Sequence, residues 1–79
     1  MQQNMNWVKV HSSVLAAVAY ASDEFWAEFH TGQTYRYRTV PFSVYQDLLD
    51  AESKGRYFNE RVRDNFPFDH VHRSSGATS

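Results

Sequence analysis

Two stretches of this 79-residue chain carry side chains able to hold an anion or a flat ring. The first is Ala51-Glu52-Ser53-Lys54-Gly55-Arg56. A helix starting at Ser53 presents unpaired N–H groups and the positive end of its dipole, and Gly55 leaves the backbone bare to an approaching oxyanion. Lys54 and Arg56 add charge, so a phosphate can be gripped by Ser53 Oγ, the first free amides and one cation. The same residues have an architectural reading, in which Ser53 caps the helix and Gly55 permits close packing. The second stretch runs from Gly32 to Arg38. A strand reverses side-chain direction at every residue, so Tyr35 and Tyr37 share one face while Arg36 and Arg38 share the other. Rings on an open sheet face stack nucleic-acid bases; rings beneath helices form a core. If the tyrosines turn inward, a nucleic-acid surface is built instead from Arg36, Arg38, Trp26 and His30, because guanidinium and indole both stack on bases.

Catalysis has less to work with. His70 and His72 have H-x-H spacing, which puts both rings on one strand face, yet no third ligand is near them in sequence. His11 beside Ser12-Ser13 suggests an activated nucleophile only if a carboxylate orients the ring, and none is indicated. Asp47, Asp50 and Glu52 fall on the polar side of a helix, where carboxylates are ordinarily solvated. No acid and base are paired. The expectation is a protein that is not an enzyme, with no cofactor and no metal.

Composition sets the frame that positions these groups. The chain supports one domain, which at this size buries only about 60% of its unfolded surface. Six Phe, five Tyr and two Trp make the core ring-rich, while the absence of cysteine removes disulfides and cysteine-ligated zinc as staples. A formal net charge of −1 argues against a strong nonspecific grip on nucleic acid, which grows with the number of phosphates neutralised. The first residues lack a basic region leading into an apolar run, and Leu15 to Tyr20 is too short to cross a bilayer. A soluble, cytoplasmic protein with no membrane partner is expected.

The elements follow from period. Val14 to Tyr20 is an apolar run bounded by Ser12-Ser13 and Ala21-Ser22-Asp23, and reads as a buried strand. Phe25 to His30 is a second strand, with Phe25, Ala27 and Phe29 on one face and Trp26, Glu28 and His30 on the other. Thr31-Gly32-Gln33 turns the chain into the strand of Tyr35 and Tyr37. After Pro41 the period lengthens: Val44, Tyr45, Leu48, Leu49 and Ala51 form one helical stripe. Ser53 starts a second helix running to about Asn65, with Phe58, Val62 and Phe66 inward and Pro67 as its stop. The fold class is α+β, a three-stranded antiparallel meander followed by two C-terminal helices on one face (βββαα). The domain is expected over residues 9–70, with flexible segments at 1–8 and 71–79.

In order and spacing, Ser12-Ser13, Tyr20, Phe29, Gly32, Tyr35-x-Tyr37, Val40-Pro41, Val44-Tyr45, Ala51-x-Ser53-x-Gly55, Tyr57-Phe58-Asn59 and Val62-Arg63 resemble the KTSC domain. That family is named for its occurrence at the C-terminus of some lysyl-tRNA synthetases. The resemblance covers about Val10 to Phe68, departing at Ala21, where an acidic residue is expected after the tyrosine. It implies a free-standing single-domain member and, from the company the domain keeps, RNA binding. The resulting expectation is a small non-catalytic module for RNA or a nucleotide, using Ser53, Lys54, Gly55 and Arg56 with Arg36, Arg38, Trp26, Tyr35 and Tyr37. Two alternatives stand beside it. One is a protein-interaction module that docks or self-associates through aromatics such as Trp7 and Trp26; the other sequesters a small phosphorylated ligand.

Overall fold

The expected meander is present, and two further strands extend it on either side. The computed structural model describes residues 6–71. β1 (Val8–Lys9), β2 (Leu15–Ala21), β3 (Glu24–Phe29), β4 (Thr34–Arg38) and β5 (Phe68–Val71) form one sheet in the order β1-β2-β3-β4-β5, antiparallel throughout. Between β4 and β5 come α1 (Phe42–Asp50), α2 (Lys54–Tyr57) and a π-helical turn, Phe58–Val62. The three-stranded expectation is therefore corrected to five strands. Val8 and Lys9 pair with β2 although they lie at the edge of the expected flexible segment, and β5 occupies the free edge of β4. The remaining parts of the expected tails, residues 1–5 and 72–79 and with them His72, lie outside the described residues.

Alternation divides the sheet into an inner face beneath the helices and an outer face. One inner row runs Tyr20, Phe25, Tyr37, Phe68 and the next runs Val8, Val18, Ala27, Tyr35, His70. Phe25, Val18 and Ala27 are fully buried there, and Tyr37 nearly so. Tyr45 and Leu48 of α1 and Phe58 and Val62 of the π-turn close the core from above. Phe58 is its hub, with ring centroids 6.2 Å from Phe25, 5.5 Å from Phe29 and 5.4 Å from Tyr37. Offset and edge-on rings at such separations add to the gain from burial alone.

The turns show how the meander is drawn tight. Ser22 and Asp23 join β2 to β3 with φ of 51° and 65°, the pair of positive values that a two-residue hairpin of matching twist requires. Thr39 also takes positive φ, 59°, and swings the chain off β4 so that Val40 N donates to Asp23 O at 2.9 Å. The Tyr20 hydroxyl donates to the Val40 carbonyl, pinning the start of α1 to β2. Pro41 stands just before α1 as its N-cap residue, in an extended conformation. The second helix is shorter than its sequence pattern: regular α geometry lasts four residues, the next five are π-helical, and the chain leaves helical structure before Pro67. No helix among the described residues is long and apolar enough to cross a membrane.

Candidate functional site

The nine residues singled out from the sequence fall into three separate places. Tyr35 and Tyr37 point inward, on the helix side of the sheet. Tyr37 is 3% exposed beneath Phe58 and is part of the core, and its burial pushes the phenol up to about 12. Tyr35 is half-buried, its ring 5.7 Å from Phe29 and 5.0 Å from His70. Together Phe29, Tyr35, Tyr37 and Phe68 wall a groove of about 550 Å³ that Asn59 and Arg63 complete.

Ser53, Lys54, Gly55 and Arg56 line a second cleft, of about 540 Å³, facing His11, Ser12 and Ser13. Ser53 does occupy the N-cap position, but its hydroxyl makes no capping bond. The bare backbone at Gly55 is not open to an anion from that side. A Cβ there would meet Ser12 Oγ at 3.0 Å and Val14 Cγ2 at 3.3 Å, so the glycine exists to let α2 press against the loop before β2. Ser12 cannot easily give way, because its Oγ accepts hydrogen bonds from the amides of Val14 (3.0 Å) and Leu15 (3.1 Å). Lys54 Nζ donates to the Ala51 carbonyl at 2.9 Å, and Arg56 pairs with Glu60. The architectural reading of this stretch describes its geometry best.

Trp26, Arg36 and Arg38 meet on the outer face. Ala19, Trp26, Arg36 and Asp69 form one row across β2 to β5, and continuing the β1 register by one residue sets Trp7 in line with Ala19. The Arg36 guanidinium lies over the Trp26 ring, 5.6 Å from its centroid. This is an aromatic and cationic platform on the side of the sheet away from the helices, where Trp26 is half-buried and Trp7 is 37% exposed. Asp69 holds both arginines: its Oδ2 is 2.8 Å from Arg36 Nη2 and 3.2 Å from Arg38 Nη2. The hydrogen bond from Arg36, reinforced by the charge of Arg38, keeps the Asp69 carboxyl below the usual carboxylate range. Three buried polar atoms on this face, Trp26 Nε1, Thr34 Oγ1 and Arg36 Nε, have no hydrogen-bond partner among the described residues. His30, expected on the same platform, lies past the end of β3, where its Nε2 contacts the Ser12 carbonyl at 2.8 Å and fastens that loop instead.

Charge on the outer face is balanced. Lys9, Arg36 and Arg38 share it with Glu24, Glu28 and Asp69. Sequence reasoning missed Lys9 and Asp69 because both stand on short edge strands that it did not recognise. The signal for Asp69 was the alternation Phe68-Asp69-His70-Val71 after Pro67. Among the described residues no group of three or more histidines, cysteines or carboxylates is placed to hold a metal ion.

Comparison with known proteins gives this architecture its relatives. The KTSC domain family model matches residues 11–66. An uncharacterised protein of Stutzerimonas stutzeri is 41% identical over 58 residues, covering 71% of this chain and 82% of that protein. A lysine–tRNA ligase of Nostoc punctiforme is 43% identical over 44 residues, which are 56% of this chain but 8% of the ligase. Among solved structures, a KTSC domain protein from Yersinia pestis superposes with a TM-score of 0.82 at 28% identity, covering 87% of this chain and all of that one. The chain belongs to the KTSC domain family.

Proposed function

We propose that the domain is a non-catalytic module that binds single-stranded RNA on the outer face of its sheet, with bases stacked on Trp26 and Trp7 and the backbone lying along Arg36 and Arg38. The observation that carries this reading is the Arg36 guanidinium over the Trp26 ring at 5.6 Å, on the sheet face that no helix among the described residues packs against. Indole and guanidinium planes both accept a base, and such stacking tolerates any sequence. The occurrence of related sequence within lysine–tRNA ligases fits the same direction, since the name of those proteins refers to tRNA.

The balanced charge of the face sets the character of the binding. Few free cations mean few released counterions, so affinity falls gently with salt, by a log–log slope of about −0.7 for each phosphate contacted. Fluorescence anisotropy of a labelled single-stranded RNA, repeated across salt concentrations, tests the reading. Trp26→Ala should weaken binding by the ~1–3 kcal/mol of one base stack, and Trp26→Phe, which keeps a ring, should retain most of the affinity. Equal affinity for wild type and a folded Trp26→Ala protein would contradict the proposal.

A protein-docking role has one specific observation in its favour. Phe42 is 53% exposed at the start of α1, its ring edge-on to Tyr20 at 5.2 Å and tilted against Tyr45 at 6.0 Å. Salt-insensitive association abolished by Phe42→Ser, with no RNA bound, would favour that reading.

A further inference from the structure

We infer that Asp69 occupies the seat of an RNA backbone phosphate and sets the affinity of the outer face by competing for Arg36 and Arg38. The inference rests on the RNA-binding reading above and names what regulates that site.

Arg36 and Arg38 are two residues apart on β4 and so project from the same face, and one carboxylate bridges their guanidinium groups from β5. Asp69 Oδ2 takes the Nη2 of each arginine, and its Oδ1 lies 3.4 Å from Arg38 Nη2. A phosphodiester also presents two anionic oxygens, and guanidinium groups recognise carboxylate and phosphate by the same fork geometry. All three side chains are reachable from solvent, with 32% of Arg36, 48% of Arg38 and 38% of Asp69 exposed. An incoming phosphate can therefore reach both cations without opening the core. β5 is also joined to β4 by an antiparallel backbone ladder over four residue pairs, which does not depend on the bridge. Asp69 stands on the outermost strand of the described sheet, where its side chain can swing aside without breaking that ladder.

Such a carboxylate acts as an internal rival. While it is seated, it offsets one of the two arginine charges and engages the Nη2 of both, so binding leans on base stacking; when it is displaced, a backbone phosphate inherits both. Binding that places a phosphate between the arginines then carries the cost of ejecting Asp69, whereas binding through stacked rings alone does not.

The test is Asp69→Asn in the full chain, measured by anisotropy against a labelled single-stranded RNA over a salt series. Asp50→Asn is the control, since Asp50 lies on α1, exposed and on the other side of the sheet, and its loss changes net charge by the same amount. The expected result is about tenfold tighter binding for Asp69→Asn, with a log–log salt slope steeper by ~0.7 for each phosphate gained. Asp50→Asn should change affinity less than twofold. Asp69→Glu, which keeps a carboxylate near the same place, should stay near wild type, and a thermal melt establishes that each variant is folded. Unchanged or weaker binding by Asp69→Asn, with wild-type binding intact, overturns the inference and leaves the RNA reading standing. Equal tightening by both asparagine variants overturns it as a general charge effect. Absence of binding by every protein, even at low salt, overturns both.

Discussion

Gly55 and Ser12 are in such close contact that a Cβ on the glycine would lie 3.0 Å from the serine Oγ, although the residues are far apart in the chain. This contact locks α2 onto the loop before β2. Alanine improves intrinsic helix propensity by ~1 kcal/mol, but crowding a packed site costs ~1–3 kcal/mol, and Ser12 is held by two backbone amides. Gly55→Ala should therefore lower the melting temperature by several degrees, and Gly55→Glu by more. A melting temperature equal to or above wild type in Gly55→Ala would show that the loop yields freely.

The aromatic hub gives a second expectation. Phe58 is 1% exposed and its ring lies against those of Phe25, Phe29 and Tyr37. Phe58→Ala should cost ~3–5 kcal/mol, a large share of the total for a domain whose size limits its stability. Urea unfolding followed by circular dichroism should show the midpoint falling steeply or the cooperative transition disappearing. A midpoint within experimental scatter of wild type would mean that Phe58 does not hold the helices to the sheet.

What the sequence made legible follows from period and what it hid follows from distance. β2, β3, β4 and α1 announce themselves through alternation or a helical stripe, and the same alternation correctly separated Tyr35 and Tyr37 from Arg36 and Arg38. β1, two residues long, has too little chain to show a period. β5 follows Pro67 directly, and its residues Phe68–Val71 become a strand because the free edge of β4 receives them. The site was half legible for the same reason. Trp26 and the two arginines could be placed on one face from local pattern, whereas Asp69 reaches them from 33 and 31 residues away. Gly55 carried a plausible local story as part of an anion cradle. Its contact with Ser12 and Val14 is tertiary, and no local pattern reports it.

Alkaline pH should weaken the fold through Tyr37. Burial disfavours the phenolate, so the folded protein keeps this proton up to about 12, against an ordinary value of 10.0 in the unfolded chain. Below pH 10 both states are protonated and Tyr37 adds no pH dependence. Between 10 and about 12 the unfolded state deprotonates first, and stability declines by up to about 1.4 kcal/mol per pH unit. Above that range the loss is complete. Tyr37→Phe should flatten the fall of the urea midpoint across this window, leaving the smaller slope contributed by Tyr20, Tyr45 and Tyr57, whose phenols are also raised chiefly by burial. Identical pH profiles for the variant and wild type would contradict the assignment.

The most direct measurement of the outer-face proposal is a ¹⁵N–¹H correlation spectrum of the labelled protein titrated with a short single-stranded RNA. With RNA on the outer face, the indole N–H of Trp26 and the Nε–H of Arg36 should shift progressively to saturation, together with amides of β3 and β4, while those of α1 stay in place. Saturating RNA that leaves both side-chain signals unmoved, or that shifts only residues around Ser53 to Arg56, would contradict it.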